Sequence, residues 1–114
     1  MEEIVAMFPV LPGKSEALIA FAETISGPRA QEFSDSQTTV QTESWYLQKT
    51  PMGDFCLVHF SAPSIINVFA GLATADDDFC TWYRAQIQDI TGIDLANPPS
   101  TLPQCIFNWR RETV

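Results

Sequence analysis

The sequence predicts an α+β domain in which strands and helical regions follow one another in the order β-α-β-β-α-β. An apolar run at residues 3–10 is typical of a strand, and an apolar stripe with helical spacing follows at residues 15–27. Two alternating, aromatic-rich segments then flank a turn at residues 50–53, as in a β-hairpin. The chain has 114 residues, so we expect a single domain over residues 1–114.

The first predicted strand, EIVAMFPV, ends before a Pro-Gly turn. From Lys14 onward apolar residues recur at three- and four-residue steps, which places them on one face of a helix: Leu18, Phe21, Ala22 and Ile25. Gly27 and the proline after it end this helix. Residues 29–42 are more polar and predict a connection with room for one further helical turn.

The segments ESWYLQKT and DFCLVHFSA predict the hairpin, in a register that places Lys49 opposite Asp54 as an opposite-charge pair. Residues that face each other across a hairpin point to the same side of the sheet. One resulting set is apolar and should lie under the helices: Trp45, Leu47, Cys56, Val58 and Phe60. The other set is mixed and should lie on the opposite face: Ser44, Tyr46, Gln48, Phe55, Leu57, His59 and Ser61.

The second helical region is predicted as two helices. Pro63 opens the first, SIINVFAGLA, because proline suits the first turn of a helix. Thr74 and Asp77 then form an approximate capping box for the second, FCTWYRAQIQDITG, which ends at Gly92. We interpret the acidic run at residues 76–78 as the start of this helix and not as a metal site.

A Pro-rich connection leads to a last predicted strand, QCIFNWRR, at residues 104–111. The complete order is that of a ferredoxin-like fold, a four-stranded antiparallel sheet with helices on one face and the first and third strands in the middle. Both of these strands are apolar on both sides, whereas helices cover only one side. We therefore expect a homodimer in which the helix-free faces of two copies pack together.

Composition narrows the choice of partner. The formal net charge is −8 and the chain has six Lys and Arg residues, which argues against binding to nucleic acid or to an anionic membrane surface. Nothing at the start resembles a secretory signal, and no apolar run reaches the roughly 18 residues of a membrane span. Three cysteines without CxxC spacing argue against a disulfide framework and a zinc site. We expect a cytoplasmic protein.

His59 and Tyr46 are the candidate catalytic residues. His59 is the only histidine and lies on the mixed face of the predicted hairpin, where it could transfer a proton. The alternative is a structural imidazole whose ring nitrogens find partners in Ser44, Tyr46 or a second copy. The sequence leaves both roles open.

Trp82 and Arg84 are the candidate ligand-binding residues. They could form the wall of a cleft in which the guanidinium holds an anionic or carbonyl group. Aromatic residues at helical spacing also pack in cores, so this reading has a structural alternative. Trp109 and the two arginines after it could likewise grip a substrate or protect a sheet edge with charge.

The segments VAMFPVLPGKSEALIAF and ESWYLQKTPMGDFCLVHF, with a topology that covers nearly the whole chain, resemble the dimeric α/β-barrel superfamily. That group contains antibiotic-biosynthesis monooxygenases and haem-degrading enzymes, and DFCTWYRAQIQDITGIDL is similar to an uncharacterised bacterial branch of it. The resemblance implies a dimer formed through the sheets. It also implies, as in some members, a pocket between helices and sheet for flat hydrophobic substrates, without a metal or bound organic cofactor. It transfers no catalytic residue to this chain.

Two hypotheses of function follow. In the first, the dimer binds a small apolar or aromatic molecule and oxidises or isomerises it without a cofactor. His59 or Tyr46 then handles protons, and Trp82 and Arg84 line the pocket. In the second, the chain is a binding or regulatory module without chemistry. A cavity beside His59 or Arg84 would favour the first hypothesis.

Overall fold

The computed structural model describes residues 1–98 and 100–112. In this part of the chain a three-stranded antiparallel sheet carries four helices on one face, which confirms the α+β class. The strands lie in the order β1-β3-β2. The elements are β1 Glu2–Val10, α1 Ser15–Ser26, α2 Ala30–Ser36, β2 Thr42–Thr50, β3 Gly53–Ala62, α3 Ile65–Thr74 and α4 Asp78–Thr91.

The hairpin of β2 and β3 has the predicted register, with Lys49 opposite Asp54. Thr50 closes the turn, because its hydroxyl donates to the carbonyl of Gly53 at 2.6 Å. Gly53 has a φ of 128°, which residues with a side chain rarely adopt. The Asp54 carboxylate accepts a hydrogen bond from the hydroxyl of Ser15 in α1, so it ties the hairpin to the helix layer.

The two long helices form where the sequence predicts them. α1 buries Leu18, Phe21 and Ile25 against the sheet. α4 ends at Gly92, whose φ of 76° gives the left-handed conformation that terminates many helices. The sequence left room for a further helical turn within residues 29–42, and this turn is α2. None of its described side chains is buried.

Two helix starts differ from the prediction. The N-cap of α3 is Ser64 and not Pro63, because the Ser64 hydroxyl accepts the backbone N–H of Asn67 at 3.3 Å. Asp77 is itself the N-cap of α4, and its carboxylate accepts the backbone N–H of Cys80 at 3.1 Å. Thr74 is the last residue of α3 and takes no part in that cap. The acidic run is therefore a helix start, as predicted, but through a single side-chain cap.

The two faces of the sheet are sorted as the alternation predicts. The core is formed by the even-numbered side chains of β1 and β3 together with the helices, and Phe60 and Ala62 are among its most deeply buried members. Trp45 and Leu47 pack against this core from β2. The other face, which includes Val5 and Met7, carries no helix.

The predicted last strand is not formed. Residues 101–112 contain neither helix nor strand, and all their side chains are exposed. β1 consequently lies at an edge of the sheet and only β3 is central, which corrects the four-stranded arrangement expected from the sequence. The physical reason is that an apolar, alternating segment becomes a strand only when a neighbour completes its backbone hydrogen bonds.

Candidate functional site

A small cavity of about 50 Å³ lies between the sheet and the helices. Its walls come from all three strands and from α1, α3 and α4, and they are largely apolar. A water molecule needs about 10–15 Å³, so the cavity has room for a few waters. Benzene is known to occupy protein cavities of about 150 Å³, so a ring of that size requires this one to widen. Its apolar walls include Phe8, Leu18, Val58, Phe60, Val68 and Leu72.

Glu43 is an acidic side chain in this largely apolar lining. It lies on β2 two residues before Trp45, and alternation therefore turns both side chains toward the helices. The indole Nε1 of Trp45 donates to Glu43 Oε2 at 2.8 Å, which fixes the carboxyl group. Burial raises the pKa of Glu43 above its ordinary value of 4.5, and the hydrogen bond from Trp45 offsets part of this rise.

Tyr83 brings a hydroxyl group from α4 to the same cavity. Its side chain is 5% exposed, and no hydrogen bond joins its hydroxyl to another of the described residues. In the described residues, every polar side-chain atom that is fully shielded from solvent has a hydrogen-bond partner. The Tyr83 hydroxyl has no such partner there, so it is not fully shielded. Burial raises the pKa of Tyr83 well above its ordinary value, and the nearby Glu43 raises it further. The phenol therefore stays protonated and can donate to a ligand.

Cys56 also lines the cavity, from β3. Burial raises the pKa of its thiol to about 11, with a smaller contribution from the charge of Glu43. A protonated, buried thiol is a poor nucleophile. The polar chemistry of the cavity therefore rests on Glu43, Tyr83 and the amide of Gln37, which also contributes to the lining.

His59 and Tyr46 lie together on the helix-free face, away from this cavity. His59 pairs with Ser44 on one side and Val5 on the other, while Tyr46 pairs with Leu57, which makes the two candidates diagonal neighbours. The Tyr46 side chain is 60% exposed. The partner of the imidazole is a residue that the sequence did not suggest, because His59 Nε2 lies 3.4 Å from Oε1 of Glu3.

An open groove of about 510 Å³ runs beside His59 and Glu3, between β1 and the C-terminal residues. Arg110 approaches it, with Nη2 at 4.0 Å from Oε2 of Glu3. Gln104, Asn108 and the exposed thiol of Cys105 complete its polar lining. Cys105 is thus exposed and belongs to no strand.

Trp82 and Arg84 lie in the helix layer and do not line the cavity under the sheet. Arg84 donates from Nη1 to the carbonyl oxygens of Leu72 at 2.8 Å and Ala75 at 2.6 Å, so it holds the end of α3 against α4. Trp82 packs edge-on against Phe21 at 5.4 Å between ring centroids. The guanidinium of Arg29 lies 4.1 Å above the Trp82 ring, a cation–π contact.

The four predicted site residues therefore do not form one site. His59 and Tyr46 share the helix-free face, and Trp82 and Arg84 join helices on the other side of the sheet. The cavity is instead marked by Glu43, which the sequence analysis missed. Its signal was available, since a carboxylate two residues before Trp45 occupies a position of the apolar set.

Within residues 1–98 and 100–112, no group of three or more His, Cys, Asp or Glu side chains is placed to hold a metal ion. None of the helices in this range has the length and apolar character needed to cross a membrane. Comparison of the chain with family models, curated proteins and solved structures gives no match.

Proposed function

We propose that this chain is a ferredoxin-like protein of the dimeric α/β-barrel type that binds a small, largely apolar or aromatic molecule between its sheet and its helices. The observation that carries the proposal is the cavity under the sheet, which combines apolar walls with the fixed carboxyl group of Glu43. Ligand sites commonly have this composition, a mostly apolar lining with a few placed polar groups.

The proposed homodimer is supported by the helix-free face. Val5 is 52% exposed, Met7 is 61% exposed and Tyr46 is 60% exposed, so this face of a single copy presents adjacent apolar side chains to water. Large apolar patches of this kind are uncommon on monomeric proteins and mark association surfaces. A second copy of the same face, related by a two-fold axis, covers the patch.

An aromatic ligand requires the cavity to widen, and α3 is the wall best suited to move. Of its ten residues only Ile65 is buried, whereas Ile66 is 68% exposed. Its inward side chains Val68, Phe69 and Leu72 are only partly buried, so α3 has fewer buried residues to expose than α1 or α4, and Arg84 fixes only its C-terminal end. In the proposed binding step α3 moves outward and the ligand takes the place of the few waters that fit the closed cavity.

Two forms of the proposal differ in chemistry. In the first, the bound molecule is oxidised or isomerised without a cofactor, as the resemblance to monooxygenases of this superfamily suggests, with His59 or Tyr46 handling the proton. In the second, the molecule is bound without reaction. The open groove beside His59 supports the first form. The second form is supported by two observations, because His59 lies across the sheet from the enclosed cavity and both hydrogen bonds of Arg84 end on backbone carbonyls.

Ligand binding is tested by filling the cavity with a larger side chain on α3. Phenol is a suitable probe because it combines a small ring with one hydroxyl group that can donate to Glu43. We expect phenol to raise the melting temperature of the wild-type protein, and we expect Val68→Phe, which extends a side chain of the lining, to abolish this rise. Differential scanning fluorimetry over a phenol titration measures both.

Two controls locate the effect. Ile66→Phe adds the same ring to the exposed side of α3 and should leave the response to phenol unchanged. His59→Gln should also leave it unchanged, because His59 lies on the other side of the sheet. Equal responses in wild-type and Val68→Phe protein would contradict the proposed site, and loss of the response in His59→Gln would move it to the helix-free face.

A further inference from the structure

The C-terminal arm, residues 101–112, is a second region of the molecule, and it has no partner strand among the described residues. It has the alternating, apolar sequence of a strand, yet none of its residues belongs to the sheet. Ile106 is 89% exposed, Phe107 is 82% exposed and Trp109 is 62% exposed. Removing apolar side chains of this size from water stabilises a protein, so the arm gains from a surface to lie on.

The outer edge of β1 offers such a surface. β1 pairs with β3 through nine residues, and no described segment pairs with its other edge. An edge of this length presents a row of free N–H and C=O groups that a further strand can bind. Pro9 interrupts the row of donors only near its end.

We propose that the C-terminal arm of one copy adds to the outer edge of β1 in a second copy, and that the two copies exchange arms reciprocally. The inference rests on the homodimer proposed above and names the segment that joins its halves. Because the exchange is the same in both directions, it closes on itself and gives a dimer rather than a filament.

Charge supports exchange between copies. Each chain carries a formal net charge of −8, so two copies repel each other unless opposite charges meet at their interface. The arm carries Arg110 and Arg111, whereas β1 begins with Glu2 and Glu3. Glu2 already accepts the backbone N–H of Ile65 at 2.9 Å. Glu3 is therefore the carboxylate that an incoming arginine would meet, in place of the Arg110 of its own chain.

The arm is not paired with its own β1, although it lies near that strand. The connection after α4 contains Pro98, Pro99 and Pro103, and proline-rich linkers are stiff and extended. Within one chain Arg110 comes within 4.0 Å of Glu3, but the arm forms no ladder with β1. An exchanged arm satisfies the backbone edge of β1 and brings an arginine of the second copy to the groove beside His59 and Glu3.

The exposed thiol of Cys105 permits a direct test by mixed disulfide formation. One chain carries a size tag, Cys105→Ser and a cysteine introduced on the helix-free side of β1, at Glu3, Val5 or Met7 in turn. It is unfolded and refolded together with untagged wild-type chain, and the mixture is oxidised mildly. We expect at least one of the three positions to give a covalent heterodimer on a non-reducing gel.

The control mixture uses the tagged Cys105→Ser chain without a cysteine in β1, and it should give no heterodimer. Cys56 and Cys80 are buried and are common to all mixtures. A heterodimer at none of the three positions overturns the inference. So does an internally linked monomer in place of a covalent dimer, when the cysteine in β1 and Cys105 are on the same chain at a concentration at which the wild-type protein is dimeric. A native mass measurement separates the two proposals, since a dimer without these cross-links contradicts the arm exchange alone and a monomer contradicts both.

Discussion

The two faces of the sheet are similar in sequence and opposite in environment. On the helix-covered face Val58 and Phe60 are 9% and 4% exposed, whereas on the helix-free face Val5 and Met7 are 52% and 61% exposed. Both pairs belong to strands that are apolar on alternate positions of both sides. The comparison teaches that side-chain hydrophobicity marks a face that needs a cover, and that the cover itself is decided by other parts of the structure.

The faces also differ in the setting of their acidic groups. Glu43 on the covered face is held by the Trp45 indole, and burial raises its pKa. Glu3 on the open face lies beside the imidazole of His59 and within reach of Arg110, with more than half of its side chain exposed. A carboxyl group in the first setting is suited to contact an enclosed ligand, and one in the second is suited to a charged partner.

The largest expected effect comes from deleting a ring on the covered face. Phe60→Ala removes a side chain that is 4% exposed and packs edge-on against Phe69, with 5.9 Å between the ring centroids. We expect the free energy of unfolding to fall by about 3–5 kcal/mol, because a large buried side chain is lost and a cavity remains. Urea unfolding followed by circular dichroism measures this.

Phe55→Ala is the matched control, since Phe55 lies on the same strand but on the helix-free face. Its cost should be smaller at low protein concentration and should grow as concentration rises, because the ring is half-buried in one copy and becomes covered when two copies associate. A cost that equals that of Phe60→Ala at every concentration would show that the two faces do not differ in this way.

A charge on the open face should act on assembly more than on folding. Met7→Lys places an ammonium group in the center of the proposed interface, and we expect it to weaken self-association by about 2 kcal/mol or more. Analytical ultracentrifugation at micromolar concentration should then show monomer where the wild-type protein is dimeric. Met52→Lys, in the hairpin turn where the side chain is 92% exposed, is the control and should leave the mass unchanged.

The smallest expected effect is a pH dependence that belongs to the covered face. The pKa of Glu43 is raised by folding, so the folded chain holds this proton more tightly than the unfolded chain, where the ordinary value is 4.5. The associated stability is complete below pH 4.5 and is lost as pH rises through the higher pKa of the folded state. Glu43→Gln does not titrate, so the advantage of wild type over this variant should shrink as pH rises.

Asp77→Asn should show the opposite sign. The backbone N–H of Cys80 lowers the pKa of the Asp77 carboxyl below its ordinary 3.8, so its contribution is present above pH 3.8 and is lost on acidification. Urea unfolding at a series of pH values compares the two variants with wild type. Parallel pH profiles for Glu43→Gln and wild type would contradict the assigned setting of Glu43.

Local signals were sufficient for most elements. The hairpin register followed from turn residues and alternation, and the end of α4 followed from Gly92. The start of α3 was displaced by one residue, because Ser64 supplies a side-chain cap that proline cannot. The candidate site was harder to predict. Trp82 and Arg84 have the residue types of a binding wall, but their contacts are with helices and backbone carbonyls that the sequence does not place.

The sequence by itself determined which residues share a face, because alternation along a strand and the spacing along a helix are fixed by backbone geometry. Only the tertiary structure decided that Glu43 and Tyr83 line one cavity, and that the C-terminal segment forms no strand beside β1. These outcomes depend on contacts between residues far apart in the chain. Such contacts form only when the gain from burial and hydrogen bonding exceeds the entropy lost in bringing the segments together, and no local pattern encodes that balance.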